Sequence, residues 1–275
     1  MPRADGQLSG PRVDGAADRA GPLGGLAADL AIASLALARR FAAGATLWCW
    51  SPSWPHHAQH VAVEFVHPVI VGKRALPAAA VPGADPVGAL RGLATGGDVL
   101  LAISAADDRL VCSVMQRARA WGVATVWVGF GSRPPAGAAD HVLWLDEAGH
   151  QAAPIGADQA APIGADEAGD TGRDAAAYTG DIVLLYHLLW ELTHVCFEHP
   201  GLLVEPAGSC DGEVCITCSD EGRVGEVVDR ARPDVATVRT ATGDEEVDLT
   251  LVGPVQVGDL LLIHAGMALD RLIEP

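Results

Sequence analysis

The chain has 275 residues, a formal net charge of -17 at pH 7, 49% hydrophobic residues and 19% charged ones. That much apolar material supports one large or two modest domains, and the acidic balance excludes phosphate-backbone binding, which needs cationic neutralisation, so no nucleic-acid partner is expected. Six cysteines without regular spacing and no charged-then-apolar leader indicate a reducing interior, and apolar runs such as 182–190 are too short for a bilayer, so a soluble cytoplasmic protein with no membrane partner is expected.

Residues 1–23, rich in Gly, Ala, Pro, Asp and Arg, have little to bury and are expected to form a disordered tail. From Gly25 on, Leu26, Leu30, Ile32, Leu35, Leu37 and Phe41 fall at helical spacing, and Gly44 stops the helix. A short apolar strand at 45–50 runs into Ser51-Pro-Ser-Trp-Pro55, whose prolines end the strand and open the next helix. That helix, 56–67, carries His60 and Glu64 and ends before Val69 because Pro68 restricts its neighbour. Helices are expected at 86–94 and 107–121, and strands at 98–104, 123–129 and 141–145. These strands are apolar throughout, as in an α/β parallel sheet covered by helices.

The octapeptide Gln-Ala-Ala-Pro-Ile-Gly-Ala-Asp occurs twice in tandem, at 151–158 and 159–166, and reads as a tolerated loop duplication. A last long helix at 178–199 holds His187, Glu191 and His194. Beyond it the period changes, so the domains divide as 24–199 and 214–275, with a Gly/Pro/Glu-containing linker at 200–213.

The second domain shows short alternating runs at 223–228, 236–240 and 246–251, parted by Arg-Pro-Asp and Thr-Gly-Asp-Glu turns, with no helix expected before the last few residues. A small all-β, OB-like barrel suits it, because closure removes exposed edges. The thiols of Cys215 and Cys218 then stand on the first strand and His264 on the last. Strands distant in sequence can be neighbours in a barrel, so two sulfurs and an imidazole can converge on a soft or borderline metal such as iron or zinc. Two plainer readings stand beside this: a structural zinc site that adds Cys210, or thiols that merely pack.

Residues 214–275 resemble the HypC/HupF chaperones of nickel-iron hydrogenase maturation. The resemblance is carried by Cys215-Ile-Thr-Cys218 at the front and by Val257-Gly-Asp-Leu-Leu-Leu-Ile-His264-Ala-Gly-Met-Ala behind. It implies that Cys215 is the family cysteine and His264 the family histidine, with Cys218 matching a cysteine found in some members. It further implies a transient iron centre with cyanide and carbon monoxide ligands, passed from a HypD-like scaffold protein to the hydrogenase large-subunit precursor. Val214 stands where the family has its initiator methionine, so Cys215 is internal, and Ser219-Asp220-Glu221-Gly222 replaces a proline-containing continuation.

Residues 26–199 resemble the sugar isomerase (SIS) fold, in particular the phosphoheptose isomerases and the DnaA-initiator-associating proteins. The match is carried by Ala58-Gln-His-Val-Ala-Val-Glu-Phe-Val-His-Pro-Val-Ile-Val-Gly-Lys-Arg-Ala-Leu-Pro77 and Gly97-Asp-Val-Leu-Leu-Ala-Ile-Ser104. It implies a zinc site at His60, Glu64 and His187, with the family glutamine missing near Thr179; otherwise His60 and Glu64 are a surface pair of little energy. It also implies a ligand pocket at Ser51, Ser53 and Ser104. Here Asp107 and Asp108 stand where hydroxyls should meet a phosphate, and Trp48, Trp50 and Trp54 flank the first loop.

Together the two resemblances imply a hydrogenase maturation factor, a chaperone and carrier rather than an enzyme, whose SIS part supplies docking or homo-oligomer contacts. The alternative is an SIS-family phosphosugar isomerase or sugar-phosphate-binding protein with an accessory barrel.

Overall fold

Strands and helices alternate through the first half of the chain, and a strand that returns through a helix comes back parallel. The computed structural model describes residues 24–145, 170–204 and 222–272. It contains β1 (Leu47–Trp50), β2 (Ala78–Ala80), β3 (Val99–Ile103), β4 (Ala124–Phe130) and β5 (His141–Leu145). They form a parallel sheet in the order β2-β1-β3-β4-β5. The expected tail at 1–23, the octapeptide repeat, and Cys210, Cys215 and Cys218 lie outside the described residues.

Helices α1 (Ala27–Ala42), α2 (Pro55–Val66) and α5 (Asp170–Glu198) cover one face, and α3 (Pro86–Leu93) and α4 (Arg109–Ala120) the other. The period of two along β3 divides it between them. Val99, Leu101 and Ile103 join the cluster of Leu37, Phe65 and Leu189, while Leu100 and Ala102 join that of Leu90, Met115 and Trp127. With both faces covered, β3 is buried at every position, which is why it reads as an unbroken apolar run. Asp98, just before β3, accepts hydrogen bonds from Thr46 N, Trp48 Nε1 and Thr95 N, tying the starts of β1 and β3 together.

Strand β2 was not expected from sequence. Its three alanines have little strand propensity of their own, and it exists through parallel pairing with β1, Leu47↔Ala78 to Cys49↔Ala80. Helix α5 begins at Asp170, earlier than the expected 178.

The second domain comprises β6 (Arg223–Arg232), β7 (Val235–Thr240), β8 (Gly243–Asp248), β9 (Leu260–His264) and β10 (Met267–Leu272), closed into a barrel in the order β10-β8-β7-β6-β9. Val227, Ala236, Val238, Val247, Leu261, Ile263 and Ala268 fill it. His264 stands on the last strand but one, not on the last. Ala265 and Gly266, both in the left-handed region at φ 50° and 77°, turn the chain into a hairpin whose second arm is β10, where the sequence reading left room for helix. Among the described residues no helix is long and apolar enough to cross a membrane.

The barrel packs on the carboxyl-terminal ends of α3 and α4, which lead into β3 and β4. Ala241, in the β7–β8 turn, lies against Gly122, where an added Cβ would fall 3.1 Å from the Ala241 backbone. The barrel thus sits at the amino edge of the parallel sheet, opposite the carboxyl edge where α/β sheets form ligand crevices.

Candidate functional site

Helix α2 places His60 and Glu64 one turn apart, and α5 packs alongside with His187. Glu64 Oε1 lies 3.2 Å from His60 Nε2 and 3.7 Å from His187 Nε2, and one ligand atom from each of the three residues lies within 4.8 Å of the others. His187 Nδ1 is 2.7 Å from the Val183 carbonyl oxygen. A carbonyl only accepts, so Nδ1 is the donor there, and Nε2 is the ring nitrogen that faces Glu64 and offers a lone pair to a metal when the ring is neutral.

His60 Nδ1 lies 2.9 Å from Tyr186 Oη. A cation on His60 Nε2 would require the proton on Nδ1, where Tyr186 can accept it, the kind of outer contact that orients metal-binding imidazoles. Burial, and then the nearby Glu64 charge, push the Tyr186 hydroxyl up to about 12, so it stays protonated. His57, behind it, is held below the ordinary histidine value by burial and then by His56 and His60. Two imidazoles and a carboxylate with water in a fourth position are a donor set that fits zinc.

At the carboxyl edge, Ser51 and Ser104 follow the neighbouring strands β1 and β3, and both are buried. Ser51 Oγ donates to the Ile103 carbonyl at 2.8 Å. Ser104 Oγ donates to the Ala105 carbonyl at 3.1 Å and accepts from Trp127 Nε1 at 3.0 Å. Ser53 is exposed. The start of α4, where an anion would meet free backbone amides, is capped by its own Asp108, whose carboxylate accepts from Leu110 N and Val111 N. Trp54 packs on Phe130, and a Cβ at Gly129 would overlap the Ser104 carbonyl and the Trp144 ring. Aromatic side chains thus crowd this edge.

In the barrel, His264 ends β9, half-buried and paired in register with Met267. Strand β6 runs antiparallel to β9 with Arg223↔Ile263 and Val224↔Leu262. One step further along that register, Gly222 comes alongside His264. Cys218 is four residues before Gly222 and Cys215 seven, tethers of at most about 14 Å and about 25 Å. The chain therefore enters the barrel beside His264.

Two residues of these arrangements escaped sequence reasoning. Tyr186 is an ordinary core aromatic at helical spacing until α2 is placed against α5. Glu226 looks like a solvent-facing charge in a strand, yet it is 1% exposed; its glutamate among valines and a glycine was the available signal.

Residues 221–274, the barrel, match the HupF/HypC family. The match contains His264 and begins after the two cysteines. No curated protein matches the chain. Among solved structures, a phosphoheptose isomerase from Francisella tularensis aligns at 17% identity over 65% of this chain and 89% of its own, with a TM-score of 0.44. Phosphoheptose isomerase GmhA from Neisseria gonorrhoeae aligns at 16% identity over 61% and 86%, with a TM-score of 0.43.

Proposed function

We propose that this chain is a carrier of iron in nickel-iron hydrogenase maturation, with Cys215 and His264 as the residues that grip the cargo. The observation that supports it most is that the HupF/HypC match falls on a closed barrel in which Gly222, four residues after Cys218 and seven after Cys215, comes alongside His264. The cargo is an iron centre bearing cyanide and carbon monoxide. Cys215 gives up its proton as iron binds, and the His264 imidazole supplies or orients the second ligand. Cys218 is the secondary thiolate.

A HypD-like scaffold delivers the centre and the large-subunit precursor receives it, so ligand exchange between proteins replaces turnover. The α/β domain serves as a docking platform and a homo-oligomer contact. Metal analysis after co-expression with the scaffold tests this. About one iron per chain is expected in the wild type, and most of it should be lost in Cys215→Ala and in His264→Ala. Unchanged iron in both variants, or zinc in its place, would overturn the proposal.

The His60, Glu64 and His187 cluster favours a second reading, a zinc enzyme acting on a phosphosugar. Zinc held there would polarise a substrate oxygen. Against it, the Ser51 and Ser104 hydroxyls are engaged within the fold and Asp108 caps α4. Consumption of a sedoheptulose-type phosphate that disappears in Glu64→Gln would establish this reading, and no turnover in the wild type would dismiss it.

A further inference from the structure

Val224 and Glu226 are two apart on β6 and share its outer face, while Gly225 and Val227 point into the barrel. That outer face lies on α4. Val224, Leu260 and Leu272 of the barrel pack into the cluster of Leu90, Met115 and Trp121. In the middle of this apolar contact the Glu226 carboxylate accepts from Arg91 Nη2 at 2.5 Å, Arg117 Nη1 at 2.8 Å and Trp121 Nε1 at 2.8 Å. Arg117 Nη1 also donates to the Gly258 carbonyl at 2.6 Å, so one guanidinium holds β6 and the turn before β9 together. The Arg91 guanidinium sits 5.7 Å above the Trp121 ring.

We propose that Glu226 is a positioning residue that seats the barrel in a single rotational setting on the amino edge of the α/β sheet, so that any protein reaching the His264 end meets both domains as one body. Domains joined by a linker move relative to one another unless their interface fixes them. A carboxylate withdrawn from water is tolerated only where its partners surround it, and every other setting of the barrel would strand Glu226 or the two arginines. The contact therefore selects one orientation as well as adding attraction. It also leaves the carboxyl edge and the His60 cluster uncovered, so the barrel is no lid for them.

The test acts from the α/β side and leaves the barrel sequence intact, using the full chain in calorimetry and small-angle X-ray scattering. The wild type should melt in one cooperative transition. Arg91→Met with Arg117→Met should split it into two and enlarge the radius of gyration, as the docked-to-undocked ratio falls roughly a hundredfold or more. Glu226→Gln should behave in the same way, and Asp229→Asn, an exposed carboxylate on the same strand, should not. A single transition and unchanged scattering in the double variant would overturn the proposal. Neither readout requires iron or zinc, so this inference and the carrier reading fail separately.

Discussion

Two imidazoles turned toward one carboxylate, each with its other nitrogen engaged, make a testable metal centre at His60, Glu64 and His187. Zinc titration by calorimetry should show binding that weakens about tenfold or more in Tyr186→Phe, which removes the contact orienting His60. Equal affinity in the variant would show that the tyrosine has no part in it. A second expectation concerns acid. His141 is held below the ordinary histidine value chiefly by burial, with Asp140 opposing. Its folded value is the lower one, so the unfolded chain takes up the proton first. The stabilisation is complete above about pH 6.5 and is lost as pH falls through the folded value. Denaturant melts of His141→Asn should show a flatter decline between neutral and mildly acid pH; an unchanged slope would rule the residue out. The His60–Glu64 pair was legible because four residues make one helical turn. His187 joined it only by resemblance, since the meeting of α2 and α5 is a long-range contact that leaves no local periodicity.

At the scale of the element, the β9–β10 hairpin carries a local misfit. Ala265 adopts φ 50°, a region glycine enters without penalty and alanine does not. Ala265→Gly should therefore raise stability by up to about 1 kcal/mol, the left-handed penalty offset by the glycine's greater freedom when unfolded, as read from the denaturant midpoint. A loss would mean that the turn is not limited by that residue. The opposite holds inside the barrel. A Cβ at Gly225 would come 2.5 Å from Val238 Cγ1 and 3.0 Å from the Arg239 carbonyl oxygen. Gly225→Ala should cost roughly 1 to 3 kcal/mol through overpacking. The long apolar strands and amphipathic helices were readable from sequence because one residue pattern decides each. Strand β2 was not, since partner pairing rather than alanine propensity makes it a strand, and β10 was missed because Ala265-Gly266 was not recognised as a hairpin turn.

For the whole molecule, the division into an α/β domain and a barrel was visible in the change of period near residue 200, but the contact between them was not. Glu226 finds its partners on helices more than a hundred residues earlier in the chain, and the sequence holds no trace of that pairing beyond a charge in an apolar strand. On the carrier proposal His264 marks the cargo end of the barrel, and the barrel face that bears Val224 and Glu226 packs on α4. The decisive measurement is infrared spectroscopy of the chain purified with its scaffold partner. Stretching bands of iron-bound cyanide and carbon monoxide should accompany the wild type and vanish in Cys215→Ala, whereas bands persisting unchanged in that variant would contradict the proposal that this cysteine carries the iron.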